Sequence, residues 1–228
     1  METELKLTLQ AEDVAKISGL NLLKRYGSTQ QSSYSEQRLI STYYDTSALA
    51  LKTEGITLRI RDKGGEGWVR TVKSSVIADD DSEAQSGGAL HRRNEFEVPL
   101  ESQELDYEEL LKLKLAPLTK ALLAEGTSEK LTPKFTTDFV RKQWLITSPA
   151  GVEVEFALDF GRVYLYKGVD SGQDEDEVQI CEIELELCDS GDNADPAFLF
   201  QLRDELSEEG ISIEPGSVSK AARGFSLL

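Results

Sequence analysis

Polar and apolar residues alternate along much of the chain, and a period of two predicts strands with unlike faces. In residues 2–9, Leu5, Leu7 and Leu9 point one way, and Glu2, Glu4, Lys6 and Thr8 point the other. The same alternation recurs over residues 57–62, 68–74 and 93–100. Residues 38–44, 136–147, 152–166 and 179–188 read as further strands. Gly64, Gly65 and Gly67 separate two of these runs and predict a hairpin.

Other stretches carry a helical period. Residues 12–26 form an amphipathic pattern through Val14, Ile17 and Leu22, stopped by Gly27. Residues 104–125 are predicted helical with a break at Pro117. Asp195 and Pro196 open another helix as N-cap and first helical residue, and Gly210 ends it. Residues 77–89 and 170–177 are too polar to pack and read as loops.

About eight strands and at least three helices, mixed in order, predict an α+β fold with helices packed outside one large curved sheet. The helices need an apolar surface, and the apolar strand faces supply it. The charged faces must then line the inside of a closed sheet. Those faces carry Glu2, Glu4 and Lys6; Arg59 and Arg61; Lys73; Arg93, Glu95 and Glu97; Arg141; Glu153, Glu155 and Asp159; and Glu182, Glu184 and Glu186. A sheet with one solvated face is the plain alternative. Against it, the charges segregate by strand, some strands bearing mainly carboxylates and others mainly Arg or Lys.

Composition narrows the ligand. The 228 residues include 25 Lys and Arg against 42 Asp and Glu, a formal net charge of −17, and the sequence pI is about 4.5. Such a body repels nucleic-acid backbones and anionic membranes, so neither is an expected partner. A small polyanion can bind only where cationic residues are concentrated. No apolar run is long enough to span a membrane, and the first residues contain no secretion signal. If Cys181 and Cys188 share a strand they lie roughly 23 Å apart, too far for a disulfide. A reduced, cytoplasmic protein is the expectation. His91, the single histidine, flanks a polar loop and brings no triad or zinc pattern with it.

Converging carboxylates bind hard divalent cations through oxygen. Arg and Lys opposite them hold phosphate oxygens. Together they are equipment for phosphoryl transfer in a wet, ligand-shaped lumen.

These residues fall into a recognisable order. The chain opens with ExExK at Glu2, Glu4 and Lys6. There follow Tyr43-Tyr44-Asp45-Thr46, Leu58-Arg59-Ile60-Arg61, Thr71-Val72-Lys73, Arg93-Asn94-Glu95-Phe96-Glu97, Arg141, Ala157-Leu158-Asp159, Glu182-Ile183-Glu184-Leu185-Glu186 and Ser219-Lys220-Ala221-Ala222-Arg223-Gly224. The set covers nearly the whole chain and resembles the CYTH domain, or triphosphate tunnel metalloenzyme, family, with an ending most similar to bacterial inorganic triphosphatases.

The resemblance implies a closed eight-stranded antiparallel barrel, one domain over residues 1–228, that hydrolyses a small polyanionic triphosphate with Mg2+ or Mn2+. It implies that Glu2, Glu4, Glu182 and Glu184 hold metal, with Glu186 on the same face and Glu95, Glu97 and Asp159 as further acidic candidates. Lys6, Arg59, Arg61, Lys73, Arg93, Arg141 and Lys220 resemble the phosphate clamps, and Lys6, Asp159 and Lys220 occupy the positions of catalytic groups. Thiamine triphosphatase, nucleoside triphosphatase, class IV adenylyl cyclase and a non-catalytic polyphosphate-binding module are the alternatives on this fold. Some family members add a helical phosphate-binding domain; this sequence shows none, so it stands alone or is one domain of a longer parent chain.

Overall fold

The computed structural model describes residues 2–27, 34–63, 67–75, 90–123, 131–166, 176–188 and 195–228. The expected loop at 77–89, most of that at 170–177, and Gly64 and Gly65 lie outside the described residues. So do the side chains of His91 and Arg93.

Nine strands form one antiparallel sheet: β1 (Glu2–Leu9), β2 (Tyr34–Asp45), β3 (Ile56–Asp62), β4 (Trp68–Ser75), β5 (Leu90–Leu100), β6 (Thr132–Thr147), β7 (Glu153–Leu165), β8 (Glu177–Leu187) and β9 (Ile213–Pro215). Their order is β5-β4-β3-β2-β6-β7-β8-β1-β9. The sheet rolls far enough for the ends to touch, with Glu2–Leu5 of β1 pairing with Leu90–Arg93 of β5.

The expectation of a closed eight-stranded barrel is corrected here. The sheet has nine strands, and its seam covers only those four residue pairs. From Leu7 to Leu9 the free edge of β1 pairs instead with Ile213–Pro215. Among the described residues the rest of β5 has β4 as its only strand partner, so the sheet is open along that side. The cause is a competition for one edge: β9, which the sequence pattern did not reveal, takes backbone groups of β1 that a complete seam would need.

The helices are α1 (Val14–Ile17), α2 (Asn21–Tyr26), α3 (Ala50–Thr53), α4 (Tyr107–Leu111), α5 (Ala116–Leu123), α6 (Ala197–Glu208) and α7 (Lys220–Phe225). The helix expected over 12–26 is broken into α1 and α2, because Leu20 turns to an extended conformation with ψ 143°. The break expected at Pro117 falls earlier, at Lys114, whose φ is 51°. Pro117 then sits in the first turn of α5, where its missing N–H costs nothing. The start of α6 falls one residue later than expected: Pro196 is the N-cap and Ala197 the first helical residue, with Asp195 Oδ1 accepting from Ala197 N–H at 2.9 Å, while Gly210, with φ 82°, follows the helix end. Among the described residues no helix is long and apolar enough to cross a membrane.

Two apolar clusters lie on the outer face. Leu5, Leu7, Phe156, Leu158, Ile183 and Leu185 meet Leu22 and Leu23 of α2 and Leu199, Leu202 and Leu206 of α6. Leu58 and Val72 meet Leu51 of α3, Leu110 of α4, and Leu118 and Ala121 of α5. Each such leucine contributes about 1.5–3 kcal/mol through removal of apolar area from water.

A third cluster belongs to the concave face. Leu39, Tyr43, Phe135, Phe139, Val163 and Ile180 pack against Ala221, Phe225 and Leu227, in and after α7. The C-terminal helix thus fills one part of the rolled sheet, and the polar cavity occupies the rest. Gly224 makes this docking possible: a Cβ there would lie 2.1 Å from the Phe135 ring.

Candidate functional site

Every strand-borne charge expected to point inward, where its side chain is described, either lines one cavity or lies directly behind it, apart from Glu153 and Glu155. The cavity has a volume of about 460 Å3. Among the described residues its walls carry six cationic side chains, Lys6, Arg59, Arg61, Lys73, Arg141 and Lys220, and six carboxylates, Glu2, Glu4, Glu95, Glu97, Glu184 and Glu186. Strand register explains the grouping. Glu4 is opposite Glu186, Lys6 opposite Glu184 and Thr8 opposite Glu182 across β1 and β8. Arg141 is opposite Asp159, and Asp159 opposite Glu182, across β6, β7 and β8.

One group is tightly compensated. Asp159, Glu182 and Glu184 place oxygens within 4.8 Å of one another, a carboxylate cluster able to hold a metal ion. Cations already enter it. Lys220 Nζ lies 2.6 Å from Asp159 and 2.9 Å from Glu184, and also contacts Glu182. Lys6 Nζ lies 2.7 Å from Glu184 and 3.5 Å from Glu182. Arg141 donates to both oxygens of Asp159, at 2.8 and 2.7 Å, and to Glu184. Burial would raise Asp159 and Glu184, yet Arg141 and Lys220 hold Asp159, and Lys220, Lys6 and Arg141 hold Glu184, below the usual carboxylate range.

The second group lacks such compensation. Glu186 makes no ion pair among the described residues. Burial, reinforced by Glu2 and Glu4, raises it to about 8. Glu2 is raised to about 7 by burial, although Lys73 Nζ lies 3.0 Å away, because Glu95 and Glu4 are also near. Glu4 has Lys6 Nζ at 4.0 Å. This end of the cavity therefore has more carboxylate than cation, the converse of the cluster around Asp159.

The opposite wall is short of anion. Arg59 reaches Glu95 at 3.5 Å and Glu97 at 3.8 Å, and its Nε is buried without a hydrogen-bond partner among the described residues. Arg61 donates to Ser41 Oγ at 3.1 Å. Burial, with Arg59 and Arg141 beside it, lowers Arg61 to about 9. Lys73 reaches Glu95 at 2.8 Å, and Thr71 donates to Glu97 at 2.9 Å. Glu95 and Glu97 thus sit among the cations, apart from Glu4 and Glu186.

A family model for the CYTH domain matches residues 1–225. The chain belongs to the CYTH domain family. Solved structures with this fold include a Hippeastrum protein provisionally assigned as an adenylyl cyclase and described as having a dominant triphosphatase activity. It is 18% identical, with 99% of this chain and 96% of that chain covered and a TM-score of 0.58. A Bacillus halodurans protein provisionally assigned as an adenylate cyclase is 17% identical, with 98% and 96% covered and a TM-score of 0.52. A Pyrococcus horikoshii protein is 19% identical, with 95% of each chain covered and a TM-score of 0.50. At these identities the likeness concerns the fold.

Within this CYTH chain, sequence parity found the strand-borne charges but not all of the cavity. Thr57 and Thr71 share the parity of Arg59 and Lys73 and could have been read the same way. Tyr43 and Ser219 lie in quoted motifs without having been given roles. Arg223, 2.7 Å from Glu182, gave no alternation signal because it stands on a helix.

Proposed function

We propose that this chain hydrolyses inorganic triphosphate in a metal-dependent reaction. The observation that carries the reading is the separation of charge across one small cavity. Arg59, Arg61 and Lys73 outnumber Glu95 and Glu97 on one wall, while Glu2, Glu4 and Glu186 crowd the other with too little cation. A polyanion relieves the first imbalance, and a divalent cation relieves the second. The donor set is all oxygen, which suits Mg2+ or Mn2+.

Glu2, Glu4 and Glu186, with Glu184 beside them, are the residues to hold the ion. A bound divalent ion supplies neutralisation of phosphate charge and polarises a phosphoryl oxygen. The chain's own groups do the rest. Arg59, Arg61, Lys73 and Arg141 bind phosphate oxygens and fix their position. Lys6 and Lys220, held by Glu184, present ammonium groups where negative charge develops.

The lining also favours an inorganic substrate over a nucleotide. Besides the charged groups, the cavity shows Thr57, Thr71, Ser219, Ala221 and a single aromatic ring, Tyr43, which is packed within the apolar cluster under α7. No apolar slot for a base is formed among the described residues. Phosphate release from tripolyphosphate, ATP, thiamine triphosphate and pyrophosphate, each with Mg2+, Mn2+ or EDTA, tests the reading. Tripolyphosphate with metal should be turned over fastest. Full activity in EDTA, or preference for ATP, would overturn it.

A further inference from the structure

Glu182 shares its strand face with Glu184 and Glu186, yet it does not line the cavity. It is fully buried. Its Oε2 lies 2.7 Å from Arg223 Nη2. Its Oε1 lies 3.5 Å from Lys6 Nζ and contacts Lys220 Nζ. Both oxygens are therefore occupied by cations, and a metal could reach Glu182 only by displacing one of them. Arg223 stands three residues after Lys220 on α7, a spacing that puts both on one helix face. The helix itself is locked by Gly224 and Phe225 against Phe135. Two cations on one docked helix thus take the two oxygens of one buried carboxylate.

The consequence concerns Lys220. A buried carboxylate with one unpaired oxygen is costly, and it would draw the nearest free ammonium toward itself. Arg223 neutralises Oε2 as an ion pair, although Oε2 accepts no hydrogen bond among the described residues, so Lys220 can be shared among Glu182, Glu184 and Asp159 and keep its place at the cavity wall.

We propose that Glu182 and Arg223 are a positioning pair that fixes the ammonium groups of Lys6 and Lys220, and that Glu182 holds no metal. This rests on the reading of the cavity as a metal-dependent triphosphate site.

The experiment is to measure Mn2+ binding by the paramagnetic resonance of the free ion, beside steady-state kinetics on tripolyphosphate. The variants are Glu182→Gln, Glu186→Gln, Arg223→Ala and Arg223→Lys. Glu182→Gln should keep the wild-type Mn2+ affinity within about twofold, whereas Glu186→Gln should weaken it roughly tenfold or more. Glu182→Gln and Arg223→Ala should lower kcat about tenfold or more with a smaller change in KM, and Arg223→Lys should recover most of the loss. If Glu182→Gln weakens Mn2+ as much as Glu186→Gln does, Glu182 is a ligand and the proposal fails. It fails as well if Arg223→Ala turns over at the wild-type rate. Should Glu182→Gln not fold, Arg223→Ala decides: lowered kcat at unchanged Mn2+ affinity supports the pair, and weakened Mn2+ overturns it. A wild-type protein that binds Mn2+ but hydrolyses no triphosphate would sink the functional reading alone, and the isotherms would still decide whether Glu182 is a ligand.

Discussion

Lys220 Nζ lies 2.6 Å from Asp159 Oδ2, tying the first residue of the C-terminal helix to the middle of β7. Asp159 lies behind the cavity wall and Lys220 lines it. Asp159 is buried beside Arg141 and Lys220, and Lys220 is buried beside three carboxylates. The position of α7 is therefore part of the site.

That dependence predicts an effect of Gly224 at a distance. Gly224→Ala would place a methyl group on the Phe135 ring and push α7 outward. The expected cost is about 1–3 kcal/mol of stability, as for other overpacked cores. Triphosphatase activity should fall further than the loss of folded protein explains, because Lys220 moves with the helix. Thermal melts and initial rates on the same samples decide it. Unchanged activity at 25 °C would show that Lys220 is not placed by α7 packing.

Arg61 offers a separation of stability from binding. It is buried next to Arg59 and Arg141, which disfavour another positive charge there. Arg61→Met keeps the aliphatic stem and removes the charge. The ligand-free protein should melt at the same or a higher temperature, while KM for tripolyphosphate rises roughly ten- to a hundredfold, the value of one charge-assisted contact. A wild-type KM would remove Arg61 from the clamp.

Glu186 should show the reverse pattern toward metal. Its carboxylate faces Glu2, Glu4 and Glu155, only partly offset by Lys73, and makes no ion pair among the described residues. Glu186→Gln relieves that repulsion, so the variant should melt higher than wild type in EDTA at pH 8. It should also need more Mg2+ for half-maximal activity. If its Mg2+ requirement is that of the wild type, Glu186 contributes nothing to the metal site.

The pH dependence of stability follows from the same end of the cavity. Folding raises Glu2 from 4.5 to about 7 and Glu186 from 4.5 to about 8. The folded state binds these protons more tightly than the unfolded state. The resulting stabilisation is complete below about pH 4.5 and is lost as pH rises through 7 to 8. Asp159 and Glu184, whose values are lowered, act oppositely, but only as pH falls below the ordinary carboxylate range. In EDTA the melting temperature should therefore decline between pH 5 and pH 8, and Mg2+ should restore most of the loss at pH 8. A flat profile in EDTA would contradict the crowding of Glu2 and Glu186.

Much of the site was legible because a strand has a strict period of two. Once Leu5 and Leu7 are assigned to the outer face, Glu4 and Lys6 must face the other way, whatever the rest of the chain does. The same argument carries Arg59 and Arg61 on β3 and Glu184 and Glu186 on β8. The seam was not legible. Whether β1 pairs with β5 or β9 depends on which backbone reaches its edge, and Ile213–Pro215 is too short a run to show alternation.

The sequence by itself therefore determined which face each charged residue takes and that the two signs converge. It could not determine depth along that face. Glu182 and Glu186 have the same parity and stand four residues apart on one strand. One is sealed between Arg223 and Lys220, and the other opens into the cavity. Only the tertiary structure decides between those fates, because α7 arrives from the far end of the chain and covers one part of the concave face. Once it docks, Glu182 loses its water and must be neutralised by cations from the same helix, while Glu186 keeps an open side.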